Sequence, residues 1–145
     1  MTRATDFFVS TVAPTAEEFL GDVADIRRAR LAAIVLNHMV DYWFLENQTR
    51  FKNKSDVYTE LEMRCPKFPI LRDVADASKH AELTRGSRKL TSTDQIRMTP
   101  GLFEAPFGEG VFAEAMEVIV VLDDRTSHPF TPIVQAALSL WKALL

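Results

Sequence analysis

The chain has 145 residues, 47% hydrophobic and 26% charged, with a single cysteine and a formal net charge of -3. A domain of this length buries roughly 68% of its unfolded surface without staples, and one Cys excludes an intrachain disulfide framework. The acidic balance excludes nucleic-acid binding by bulk attraction, and the longest near-apolar run, Leu31 to Leu36, is far short of the roughly 20 residues of a membrane span. Met1 to Ser10 lacks the apolar core of a signal peptide, so a single soluble cytoplasmic domain over residues 1–145 is expected.

Residues 1–13 read as a loosely held N-terminal arm in which Phe7, Phe8 and Val9 dock. Thr15-Ala16-Glu17-Glu18, after Pro14, has the form of a capping box and starts a short helix that Gly21-Asp22 interrupts. From Asp22 to about Leu45 there is no Pro or Gly, which predicts a long helix. Ser55-Asp56 caps a short helix over Val57 to Arg64, stopped by Pro66. The next helix opens at Pro69 and runs to about Leu83, with Gly86 as its stop.

Arg88 to Met98 suits an irregular strand, and Thr99 to Gly110, with three of the five glycines, a loop. Phe103, Phe107 and Phe112 tuck that loop onto the core. Ala115 to Leu122 is the clearest strand, because β-branched side chains pack well on a pleated surface. It needs a partner, and Lys89 to Met98 is the nearest antiparallel one. Asp123-Asp124-Arg125 turns the chain into a last helix that begins at Pro132, with Thr131 as cap. Ile133, Ala136, Ala137, Leu140 and Leu144 form its inner stripe, which leaves Trp141 off the stripe and partly buried. The fold class is therefore mainly α: a bundle of about four helices with a small β-hairpin inserted before the last. Trp43 and Trp141 share its one core.

Turning each helix at about 100° per residue locates the chemistry. The long helix is apolar around most of its circumference, apart from a sector holding Arg27, Arg30, Asn37, His38 and Asp41. The helix from Pro69 carries Arg72, Asp73, Asp76 and His80 together on one flank. If these stripes face each other, His38 and His80 share a pocket, with Asp41 and Asp76 accepting their ring N–H bonds. One outcome is a divalent metal site built from His38, Asp41, Asp76 and His80, since bundles hold ions with such spacings. Another is a buried polar network in which the arginines neutralise the carboxylates, with no cofactor at all. Cys65 and His128 receive no role, and neither a phosphate-binding glycine fingerprint nor a common hydrolase motif occurs.

The segments Arg30-Leu31-Ala32-Ala33-Ile34-Val35-Leu36-Asn37-His38 and Arg72-Asp73-Val74-Ala75-Asp76-Ala77-Ser78-Lys79-His80 resemble small bacterial helical proteins in which an Arg-Asp…Ala-x-Lys-His segment recurs. Across residues 20–85 the bundle is also similar to the HEPN group of defence and toxin–antitoxin systems. Many of these are metal-independent ribonucleases with an Arg, a polar residue and, after four to six further residues, a His. Arg72-Asp73 and His80 match that order, with seven residues between Arg72 and His80, six of them after Asp73. The resemblance implies that Arg72 binds phosphate and His80 serves in proton transfer. Arg30, Asn37 and Lys79 would bind substrate, assisted by Arg85, Arg88 and Lys89. Three functions stay open: an RNA- or nucleotide-binding or RNA-cleaving bundle, a non-enzymatic homodimeric interaction module, and a metal-binding bundle.

Overall fold

The computed structural model describes residues 1–99 and 116–145. The expected positions of Phe103, Phe107 and Phe112, the glycine loop beyond Thr99 and the start of the strand at Ala115 lie outside them. The chain is mainly α, and a small antiparallel sheet precedes the last helix.

Residues 1–13 are not a loose arm. Thr2 caps helix α1 (Arg3–Phe7), a π-helical turn covers Phe8–Val12, and α2 (Ala13–Leu20) follows without a break. Ala4, Phe8, Val12 and Ala16 are buried. Steps of four drift by about 40° each in an α-helix, and the wider π turn absorbs that drift, so one face stays inward. Pro14 explains the position of the π turn: it has no N–H for the carbonyl one turn earlier. Thr15 accordingly lies inside α2 and caps nothing.

After Gly21, Asp25 caps α3 (Ile26–Glu46), its side chain accepting from the Arg28 N–H at 3.1 Å. The helix thus starts four residues later than the lack of Gly and Pro implied. Its alanines at 29, 32 and 33 are fully buried and admit close neighbours: α2, α5 and α6 all pack on it. The polar sector does not stay together. Asn37 is buried, His38 is exposed, and apolar Leu31 and Leu45 reach solvent instead.

Asn53, rather than Ser55, caps α4 (Lys54–Arg64) by accepting from the Asp56 N–H. Helix α5 (Phe68–His80) carries Pro69 in its first turn. It ends at Ala81, whose φ of 65° breaks the helix, before the expected Leu83. Gly86, at φ 77°, instead bends the loop that follows, where a side chain would be strained.

A capping box between Ser92 and Gln95 leads into β1 (Ile96–Met98). β1 pairs antiparallel with β2 (Val118–Val121), Ile96 opposite Val120, as the β-branched run implied. A third strand, β3 (Ser127–Pro129), adds to the other edge of β2 and runs directly into α6 (Phe130–Leu144). Val118 and Val120 are buried while Ile119 and Val121 are only half-buried, so one sheet face closes on the helices.

Helix α6 begins two residues early, and Thr131 sits in its first turn rather than at its cap. Its inner stripe is also rotated. Phe130, Val134, Ala137 and Trp141 are fully buried, whereas Ala136 and Leu144 are half-buried. Trp141 is therefore a centre of the core, contrary to the partial exposure expected of it. Its indole N–H donates to the Leu36 carbonyl at 3.0 Å, and its ring meets Trp43 and Phe68 edge-on. The buried apolar side chains of helices and sheet form one cluster.

Candidate functional site

Helix α5 has its strongly apolar face (Phe68, Leu71, Val74, Ala75) in the core, which turns Arg72, Asp76 and Lys79 toward the flank shared with α4 and the 83–89 loop. Asp73 sits at the boundary and is nearly inaccessible, at 3% exposure. A buried carboxylate must be paired, and Asp73 is. Arg88 Nη1 donates to Asp73 Oδ1 at 2.9 Å and to Asp76 Oδ2 at 2.7 Å, while the Lys89 N–H donates to Asp73 Oδ2 at 2.6 Å. Burial acts to lower the Arg88 pKa, but its hydrogen bonds to the two carboxylates outweigh that and hold it above the usual arginine range. One guanidinium thus ties the loop to two turns of α5.

Arg72 is held differently. Its Cζ lies 3.7 Å from the centre of the Tyr58 ring, a cation–π contact, and its nearest carboxylate oxygen, on Asp76, is 3.9 Å from Nε. Among the described residues its guanidinium makes no hydrogen bond. Tyr58 is fixed in turn by donating its hydroxyl to Asn37 Oδ1 at 3.1 Å. A cleft of about 370 Å³ opens over this pair, lined also by Phe68, Pro69, Ser87, Arg88 and Lys89. The carboxylates Glu62 and Asp73 also line it. Arg72, Arg88 and Lys89 bring three positive charges to it, of which Arg88 is neutralised by Asp73 and Asp76.

Burial pushes the Tyr58 phenol above its ordinary 10.0, against the opposing effects of Arg72 and of the Asn37 bond. A raised folded-state value means that the stabilisation is complete below the unfolded pKa and is lost as pH rises through the folded one. Tyr58→Phe should therefore flatten part of the alkaline loss of stability. Denaturant unfolding of both proteins at about pH 8 and about pH 11 reads this; identical losses in the two would contradict it.

The residues singled out in the sequence divide among several places. Arg72, Asp76 and Lys79 gather on the α5 flank, Lys79 Nζ lying 3.9 Å from Asp76 Oδ1. Asn37 reaches the same cluster through Tyr58. Arg30 is half-buried, and its Nε has no hydrogen-bond partner. His38 Nδ1 lies 3.3 Å from Asp41 Oδ2, and its ring meets Phe7 and Tyr42 edge-on. Asp41 is also ion-paired with Lys54. His80 is the exposed last residue of α5, and its side chain makes no hydrogen bond or ion pair among the described residues. Asp76 accepts from Arg88, not from His80. Among the described residues no three His, Cys, Asp or Glu side chains group so as to hold a metal ion, so His38, Asp41, Asp76 and His80 do not build a shared centre.

Sequence reading missed Tyr58, Ser87 and the clamping role of Arg88. Tyr58 precedes Arg72 by 14 positions and Arg88 follows Asp73 by 15. No helical spacing links such pairs, although a near-buried Asp on an apolar face was itself a signal that a cation must come from elsewhere. No described helix is long and apolar enough to cross a membrane. No family model, curated protein or solved structure matches the chain.

Proposed function

We propose that the domain binds a phosphate-bearing nucleotide or RNA in the cleft between α4, α5 and the 83–89 loop, without cleaving it. The observation that carries this reading is the Arg72 guanidinium, fixed over Tyr58 yet with its donors unspent among the described residues, lining with Lys89 and Ser87 a cleft of nucleotide-compatible size. Arg72 supplies the planar, permanently charged donor, and Lys89 a mobile charge at the rim. The HEPN-like arrangement of Arg72-Asp73 and His80 points to the same ligand class.

Binding without cleavage follows from the helix itself. His80 is eight residues beyond Arg72 on α5, a separation of about 12 Å along the axis. Proton transfer at a phosphate held by Arg72 requires a group within roughly 3 Å of the reacting oxygen, or one water away. Among the described residues no histidine lines the cleft.

Fluorescence anisotropy with a short single-stranded RNA tests the proposal. Arg72→Ala should weaken binding about tenfold, the worth of one charge-assisted contact, and Lys89→Ala less. Arg97→Ala, on the sheet, should leave affinity unchanged. Rising salt should weaken binding in proportion to the phosphates contacted. Equal affinity of the wild type and Arg72→Ala would remove the cleft as the site.

A further inference from the structure

We infer that the cleft reads an unpaired nucleobase as well as a phosphate, the base lying on the outer face of the Arg72 guanidinium. This rests on the anion-binding reading above and narrows its ligand to a 5′-nucleotide unit whose base is free of a duplex stack.

At 3.7 Å from the Tyr58 ring centre, the Arg72 guanidinium is at stacking contact, so one of its faces is covered by the tyrosine. Its side chain is nonetheless 39% exposed, and it lines the cleft. A planar cation with one face backed and the cleft before it is a platform, and guanidinium planes and aromatic rings are the surfaces on which unstacked bases settle. The platform is also rigid before any ligand arrives. Tyr58 is tied to buried Asn37 by its hydroxyl and packs against fully buried Phe68 at 6.3 Å. Arg72 is flanked by Asp76, which is itself anchored by Arg88. The ordering cost that a long side chain ordinarily carries on binding is thereby met within the fold.

The lining of the cleft is of two kinds. Pro69 and the Tyr58 ring are apolar and suit the flat surface of a base, while Ser87 and Lys89 are polar and suit a phosphate. Inorganic phosphate would use only the polar groups. A base locked in a duplex could not present its face to Arg72, so single strands and free nucleotides are the fitting ligands.

The test compares AMP with ribose 5-phosphate by isothermal titration calorimetry on the full chain. AMP should bind the wild type about tenfold more tightly, the worth of one stacked base. Arg72→Lys keeps the charge but removes the plane. It should bring AMP down to the affinity of ribose 5-phosphate and leave the latter within about twofold of its wild-type value. Tyr58→Leu, which removes the backing ring, should act in the same direction, and Tyr58→Phe, which keeps the ring and loses only the tether to Asn37, should act clearly less. Single-stranded tetraadenylate should compete with AMP, and duplex RNA of the same length should not. Equal binding of AMP and ribose 5-phosphate to the wild type would overturn the base platform and leave the anion site standing. Binding of neither would overturn both, and duplex competing as well as single strand would overturn the requirement for an unpaired base.

Discussion

Trp141→Ala should be the most damaging single substitution in α6, lowering stability by about 4 kcal/mol. The indole is fully buried and touches both Trp43 and Phe68, so its removal opens a cavity between α3, α5 and α6 that alanine cannot fill. It also leaves the Leu36 carbonyl without the N–H that reaches it from 105 residues away. For a domain of this size the loss corresponds to a fall in melting temperature of roughly 8–16 °C. Trp141→Phe separates the two contributions, because it keeps most of the apolar volume and loses the donor; about 2 kcal/mol is expected. Urea unfolding followed by far-ultraviolet circular dichroism measures both. A loss below about 1 kcal/mol for the alanine variant would mean that Trp141 is not packed as described.

The second large effect belongs to Asp73. Asp73→Ala should cost about 3 kcal/mol, because it strips the Lys89 N–H of its acceptor and Arg88 of one of its two carboxylates. Arg88→Met is expected to be similarly harmful, leaving Asp73 and Asp76 without the cation that neutralises them. Together the two changes should cost clearly less than the sum of the singles, since neither then strands a charge. Strict additivity in this double-mutant cycle would show that the clamp contributes no coupling. The clamp also bears on the proposed binding site: it holds the 83–89 loop, with Ser87 and Lys89, at the cleft that Arg72 lines, so on that proposal Asp73→Ala should weaken RNA binding even where the protein remains folded.

The helices were legible in the residues because local rules act at short range. Unbroken helix formers announced α3, Pro66 and Pro69 marked the junction between α4 and α5, and the Val118 to Val121 run announced β2. The N-terminal arm was misread because a π turn follows no 3.6-residue periodicity, so the burial of Ala4, Phe8 and Val12 carried no recognisable pattern. β3 was missed for a related reason: Ser127-His128-Pro129 has no strand composition, and it is extended because the edge of β2 offers it hydrogen-bond partners.

The candidate site divides along the same line. Sequence alone grouped Arg72, Asp73, Asp76 and His80 on one flank of α5, because helical geometry places residues three and four apart side by side; the structure keeps the first three together and leaves His80 exposed at the helix end. It also determined that these charges needed compensation. Which group compensates them was a tertiary matter: Arg88 and Lys89 arrive on a loop turned by Ala81 and Gly86, and Tyr58 arrives on a neighbouring helix. The rotation of α6 that buries Trp141, and the separate surroundings of His38 and His80, were likewise decided by how whole helices pack. A helix's own periodicity states which residues share a face. Only the surface it meets decides which part of that face is buried, and at what height along the bundle two faces come together.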